Sequence, residues 1–537
     1  MSAFGAGDAG AARAAVTRLA LRQVRRPALV VSAVAAGVTA VVVAGYESTA
    51  GTALDAAALA TLAENPAIRT LFGEPFALDT PGGFTVWRTG TVLAVLLSVW
   101  GVLATTRVTR GEEDSGRWDL LLAGRLAVPA VLGRHLTVLA AAVVIAGGAA
   151  GIVLVAAGTP PGGALRYAAG LVLVAFFAVS TALLSAQVMP TRAGASGSAL
   201  AVLGVGLLAR MVGDGVAALG WLRWLSPYGL LALVRPYHDD RLLPLLVLAG
   251  AALLVGAAAM TLAGRRDVRA GLVAAPAGRP PRTWLLGTVD GFAVRRMVRP
   301  LAGWSAGIGA YFLLIGLLAT SMTRFLADNP RFAELAAQAG FTELGSVRGY
   351  TASLFVLLAV PVGVFAASRL AEFVAAETDG RLTSLYAQPV SRNRLLTAET
   401  LASFAGVAVL VTVAATATWL GAALVNAPLP LTAALAGTWN VLPVVLLCLG
   451  AATLALGWLP RATAAVGVLP AVGGFLLHVL ADSADLPGWV AASSPFAHLA
   501  AVPAESPGWT AAGVMIAIAI AAAALGRLGN RRRDLLG

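Results

Sequence analysis

The stretch Arg110–Arg125 reads RGEEDSGRWDLLLAGR, and Val374–Pro389 reads VAAETDGRLTSLYAQP. Glu113, Gly116, Arg117, Leu121 and Ala123 of the first recur as Glu377, Gly380, Arg381, Leu385 and Ala387 of the second, each 264 residues further on. Each copy falls between the second and third long apolar runs of one half of the chain. A charged, amphipathic element placed identically in two apolar halves reads as a docking site used twice.

The surroundings of the two copies define the class. The chain is 58% hydrophobic and 12% charged, against about 25% charged in soluble domains, so it reads as a membrane protein. Twelve apolar runs are predicted to cross the roughly 30 Å of hydrocarbon: 27–45, 86–106, 136–157, 167–189, 194–212, 243–263, 301–322, 350–368, 400–424, 432–456, 462–480 and 509–526. Backbone N–H and C=O groups in lipid must be satisfied within the segment, so these runs are helices. The predicted fold is an all-α polytopic membrane protein of twelve transmembrane helices.

More of the chain repeats. Asn65-Pro66 matches Asn329-Pro330. Trp224 and Ser226-Pro227-Tyr228 match Trp489 and Ser494-Pro495-Phe496. Arg265-Arg266-Asp267 matches Arg532-Arg533-Asp534. Six spans per half is an even number, so both halves enter from the same side and form two parallel six-helix repeats. The expected division is 1–270, a Gly/Pro/Arg-rich linker at 271–288, and 289–537. LRQVRRP (Leu21–Pro27) has an internal twin in VRRMVRP (Val294–Pro300). The first apolar run is therefore expected to be a span and not a cleaved signal.

Arginine placement sets the expected orientation. Arg-rich segments flank the first span, fill the central connector and close the chain, and with twelve spans all three share one side with both repeated segments. That side is expected to be cytoplasmic in a bacterial plasma membrane, with both termini inside. The net charge of +12 then reflects this bias and attraction to anionic lipid, and a nucleic-acid partner is not expected. All 38 basic residues are Arg. A P-loop needs the Lys of G-x-x-x-x-G-K-[ST], so any ATP use is expected on another polypeptide. The single Cys448 excludes a disulfide framework and a cysteine-based zinc site, and is assigned to packing.

Within each repeated segment, Ser115 and Asp379 are placed to cap a short helix, and Glu113 and Glu377 suit the positive end of its dipole. Trp118, Leu121 and Leu122 fall on one face, as do Leu382, Leu385 and Tyr386. Pro129 and Pro389 limit the helices downstream. An interfacial helix resting on lipid explains the stripe but not the paired acids, which anionic lipid would repel. A soluble partner's groove accommodates both stripe and charge. The expected partner-coupling residues are Glu113, Gly116, Arg117, Trp118, Leu121, Glu377, Gly380, Arg381, Leu382 and Leu385.

The pattern ExxGRxxxLLxxP/R between spans two and three resembles the coupling region of bacterial type-2 ABC exporter permeases. The whole chain resembles the twelve-span permeases of actinobacterial tetronasin or polyketide-antibiotic exporters. The likeness rests on both coupling segments, ENPAIRTLFG (Glu64–Gly73), WLSPYG (Trp224–Gly229) and the two Arg-Arg-Asp signatures. It implies a permease without its own ATPase, paired with two copies of a soluble ABC ATPase that holds ATP and Mg. Closure of that dimer would move both coupling helices. Copy two continues as QPVSRNR (Gln388–Arg394), nearer the family pattern than GRLAVPA (Gly124–Ala130), so the two docking sites need not be equivalent.

Intramembrane charges are functional candidates by default. Here Arg210 is assigned to snorkelling, Glu399 to the inner interface and His478 to packing. No span carries two acids at helical spacing, which suits an apolar or amphiphilic cargo better than proton coupling. Trp100, Phe176, Phe177, Tyr311 and Phe312 are assigned to packing, and no substrate residue is named. Two other readings compete. A proton-coupled secondary transporter also has two parallel halves, but its loop after span two is strongly basic with a G-x-x-x-D-R-x-G-R-R pattern. A membrane enzyme needs clustered acids or His, whereas Glu64, Glu74 and Asp79 are scattered.

Overall fold

A computed structural model describes residues 4–46, 69–70, 73–123, 126–266, 271–273, 283–328, 346–483 and 487–533. Twelve helices are long and apolar enough to cross a membrane, and no strand occurs among the described residues. This is an all-α polytopic membrane protein. The chain divides into two compact units, Met1–Arg279 and Pro280–Gly537. Asn65-Pro66, Asn329-Pro330, Asp267 and Asp534 lie outside the described residues, as does 274–282 of the expected linker.

The first unit contains α1 (Phe4–Ala44), α2 (Pro81–Thr106), the short α3 (Arg117–Leu122), α4 (Val128–Ala156), α5 (Pro161–Val188), α6 (Arg192–Gly215), α7 (Pro227–Leu233) and α8 (Leu243–Ala263). Helix α1 packs on α4 and α2, and α5 packs on α8, α2 and α4. The core between them is aliphatic, with Leu93, Leu97, Leu139, Val143, Leu171 and Val174 all at or below 1% exposure.

The second unit contains α9 (Val289–Asp328), α10 (Val347–Leu357), α11 (Ala359–Thr378), α12 (Thr383–Tyr386), α13 (Arg392–Leu424), α14 (Leu431–Trp439), α15 (Leu442–Trp458), α16 (Gly474–Ser483) and α17 (Trp509–Arg532). Helix α9 packs along α13, and α15 along α17 and α11. Cys448 is fully buried in this core. Phe312 stacks near Phe355 at 6.1 Å, and Trp100 is 9% exposed in the first unit, both packing as expected.

The first helix of each unit runs further than its apolar run. Helix α1 has 41 residues and α9 has 40, about 60 Å at 1.5 Å per residue, twice the hydrocarbon thickness. The Arg-rich stretches before Pro27 and Pro300 are helical, and both prolines lie inside the helix. Proline removes one N–H bond and clashes with the carbonyl four residues back, which here is Gln23 or Arg296. The helices thus begin well before the apolar runs that start at 27 and 301. Spans eight, ten and eleven are interrupted: α10 meets α11 at Leu358, α14 meets α15 at Asn440 and Val441, and a π-turn at Leu469–Gly473 containing Pro470 precedes α16. Such turns free backbone groups that neighbours must satisfy.

The Ser-Pro repeat marks the same contact in both units. Ser226 Oγ donates to the Gly206 carbonyl at 2.6 Å, and Ser494 Oγ to the Gly474 carbonyl at 2.8 Å. Each serine thereby ties the segment after span five or eleven back onto that span.

Candidate coupling site

Span two of the first unit continues beyond α2 through a π-turn at Arg107–Gly111 into Glu112–Asp114. The chain then turns at Ser115-Gly116 into α3. In the second unit, α11 ends at Thr378 and turns at Asp379-Gly380 before α12. Gly116 has φ +75° and Gly380 φ +71°, the left-handed region that costs other residues about 1–2 kcal/mol. The Gly116 N–H donates to the Glu113 carbonyl at 3.1 Å, and the Gly380 N–H to the Glu377 carbonyl at 3.0 Å. In the second unit the Arg381 N–H also reaches the Ala376 carbonyl at 2.9 Å, completing a Schellman C-cap. The expectation that Ser115 and Asp379 cap the following helices is corrected. The N-cap positions of α3 and α12 are Gly116 and Leu382, without a side-chain cap bond. The repeated Gly ends the long span, and its neighbour Ser or Asp is the last residue of that ending.

The paired acids have internal partners. Arg266, two residues past α8 and its Gly264 cap, grips Glu113 through Nη1–Oε1 and Nη2–Oε2, both 2.7 Å. Arg110 Nη1 donates to the same carboxylate at 3.0 Å, and Arg266 Nε to Gln187 Oε1 at 2.7 Å. Glu113 is 2% exposed, Arg110 0% and Arg266 6%. In the second unit, Arg533 grips Glu377 through Nη1–Oε1 at 2.9 Å and Nη2–Oε2 at 2.6 Å. The two charge signatures read separately from the sequence are therefore the two ends of one bidentate pair in each unit. Their joint recurrence, an acid after span two with an arginine after span six, was the available signal.

The apolar stripes also turn inward. Trp118 is 1% exposed in a cluster with Val16, Val131, Leu132, Leu183 and Ala263, and Leu121 and Leu122 pack against it. Leu382 is 2% exposed in the second unit's core, with Leu385 and Tyr386 packed against that core. The stripe that the periodicity assigned to a partner's groove is covered by the protein's own spans. Burial, and secondarily the Glu377 carboxylate, pushes the Tyr386 phenol up to about 12. What the turns present outward is different: Arg117 and Arg381, each 65% exposed. Arg117 Nε donates to Ser115 Oγ at 2.9 Å, and Arg381 Nη2 to Asp379 Oδ2 at 2.9 Å. Beside them stand Leu120, 80% exposed, and in the second unit Thr383 and Ser384.

Two charges assigned to interfaces by sequence are internal. Arg210 does not snorkel: it is 2% exposed, and its Nε lies 2.7 Å from Asp214 Oδ2. Glu399 is 1% exposed, held by Arg369 at 2.5 Å and Arg296 at 3.4 Å. Glu74 is not isolated, with Arg69, Arg223 and Arg235 at 3.2, 2.9 and 3.3 Å.

Comparison with known proteins accords with this architecture. Residues 286–531 match the family described as multidrug efflux system permease Rv1217c, C-terminal domain. Over 493 residues the chain is 31% identical to the multidrug efflux system permease protein Rv1217c of Mycobacterium tuberculosis, covering 89% of this chain and 87% of that protein. With twelve spans in two units and a relative aligned along nearly all of both, the chain belongs to this family of efflux permeases.

Proposed function

We propose that the chain is the permease subunit of an ATP-driven multidrug exporter of the type-2 ABC class, carrying hydrophobic or amphiphilic compounds. Hydrolysis takes place on two copies of a separate soluble ATPase, which dock on the turns around Arg117 and Arg381 at the cytoplasmic face. Both chain termini lie on that face. The observation that carries the reading is the twin turn, each clamped by a buried Glu–Arg pair to the end of its unit's last span.

The clamp suits force transmission. A push on the exposed face of α3 meets Trp118 wedged among α1, α4, α5 and α8, and Glu113 tied to Arg266. Displacement therefore passes to whole spans and is not absorbed by a loose loop. A partner shifts such an equilibrium only through different affinities for its two states. The exposed guanidinium and its neighbours are where that difference arises, while the buried pair keeps the turn rigid.

The test is the double variant Arg117→Glu, Arg381→Glu in cells expressing the chain with its ATPase. Expected are loss of ATPase co-purification and of drug efflux, with unchanged insertion and thermal stability. Efflux that survives this change and ATP depletion, but collapses with the proton gradient, would instead identify a secondary transporter.

A further inference from the structure

Where α9 leaves its Arg-rich start, the second unit holds a half-open pocket of about 720 Å³, whose lining includes Trp284, Leu286, Phe292, Arg295, Arg296 and Arg299. Its size is within the range of small-molecule sites. Its chemistry divides in two. Three guanidinium groups supply positive charge, and Trp284, Leu286 and Phe292 supply apolar and aromatic surface. Trp284 and Leu286 are 64% and 46% exposed, so this surface is open to a ligand. Arg295 Nη1 donates to the Trp284 carbonyl at 2.8 Å and so fixes the indole segment beside the helix. Arg296 lies 5.7 Å from the Phe292 ring and 3.4 Å from the buried Glu399. Arg299 is exposed, and among the described residues no carboxylate lies within salt-bridge reach of it.

The cavity also has a defined depth. The helix carries no charge from Leu301 to Met322, so Arg299-Pro300 marks the edge of the hydrocarbon. A cation at that level meets phosphate groups, and an exposed Trp prefers the same level. A ligand satisfying all walls has one anionic phosphodiester beside an apolar body, with chains continuing along the apolar part of α9. We propose that this cavity binds the headgroup of an anionic phospholipid, with Arg299 as the principal phosphate ligand and Trp284 covering the glycerol and upper acyl region. The site belongs to the second unit. The related stretch Leu21–Pro27 has Arg22, Arg25 and Arg26 but no tryptophan or phenylalanine among the fifteen or so residues before it.

The test is native mass spectrometry of the detergent-purified full-length chain titrated with phosphatidylglycerol, phosphatidylcholine or inorganic phosphate. The wild type is expected to retain phosphatidylglycerol selectively. Arg299→Gln should weaken retention about fivefold, and Trp284→Ala should weaken it also. Both residues are exposed, so folding is not at risk, and Arg25→Gln with Arg26→Gln is the first-unit control, expected to change little. Equal retention by wild type and Arg299→Gln, or equal retention of phosphatidylcholine, overturns the proposal. Displacement of the lipid by millimolar inorganic phosphate assigns the site to free phosphate and overturns it too.

Discussion

Glu113 and Glu377 occupy the same place in the two units, yet their surroundings differ. Glu113 is shared by Arg266 and Arg110, and the first turn is strapped further: Arg110 Nη2 reaches the Pro190 carbonyl at 2.8 Å, and Asp114 accepts the Arg192 N–H at 2.8 Å. Glu377 has Arg533, whose Nε finds no acceptor among the described residues; Val374 stands where the first unit has Arg110. The second unit concentrates buried charge deeper, at Arg369 and Glu399, with the partly buried Arg296 beside them and the exposed Glu372 on Arg369. At the positions matching Arg369, Glu399 and Arg296 the first unit has Thr105, His135 and Gln23. The first turn is thus tied to three spans beyond its own, and the second chiefly to the last span of its unit. A duplicated element can keep its shape while its mechanical attachment diverges.

The largest expected effect separates these attachments. Breaking a buried ion pair by removing one partner costs about 3–5 kcal/mol. Glu113→Ala strands two buried arginines, whereas Glu377→Ala strands Arg533, which is 13% exposed. Glu113→Ala should lower the melting temperature in detergent more than Glu377→Ala, and equal losses would erase the distinction. Reversing the pair sharpens it. Glu377→Arg with Arg533→Glu should recover most of the stability lost by Glu377→Arg alone. Glu113→Arg with Arg266→Glu should not recover, because Arg110 then faces a like charge.

Deeper in the units the contrast is smaller. Glu399→Gln removes a carboxylate from between Arg369 and Arg296, at about 1–3 kcal/mol. His135→Gln in the first unit, where among the described residues the imidazole hydrogen-bonds the Val131 carbonyl alone, at 2.9 Å, should cost less in the same thermal assay. The smallest effect should be shared. Gly116→Ala and Gly380→Ala each impose the left-handed conformation on alanine, about 1 kcal/mol or somewhat more. A clear difference between these two would show that the turns themselves, and not only their attachments, have diverged.

Much of this organisation was legible in the residues alone. Twelve apolar runs became twelve candidate spans, because hydrocarbon leaves an unpaired peptide group no partner outside its own helix. The recurrence of Glu, Gly and Arg located both turns, because a left-handed residue between two helices selects glycine. Helix ends were less legible: the apolar runs begin at Pro27 and Leu301, but the first helices start well before them and continue through Pro27 and Pro300, held by packing on α4 and α13.

What only the folded chain decided was which surface faces what. Periodicity reports that Trp118, Leu121 and Leu122 share a face, but it does not say whether a partner or α4 and α8 cover it. Likewise Arg266 lies 153 residues from Glu113, and no local rule joins them. Their pairing depends on the last span, packed on the fourth, bringing its end to the end of the second, where two desolvated charges must find each other. The same logic buries Glu399 with Arg369, because a charge removed from water persists only with a counter-charge beside it.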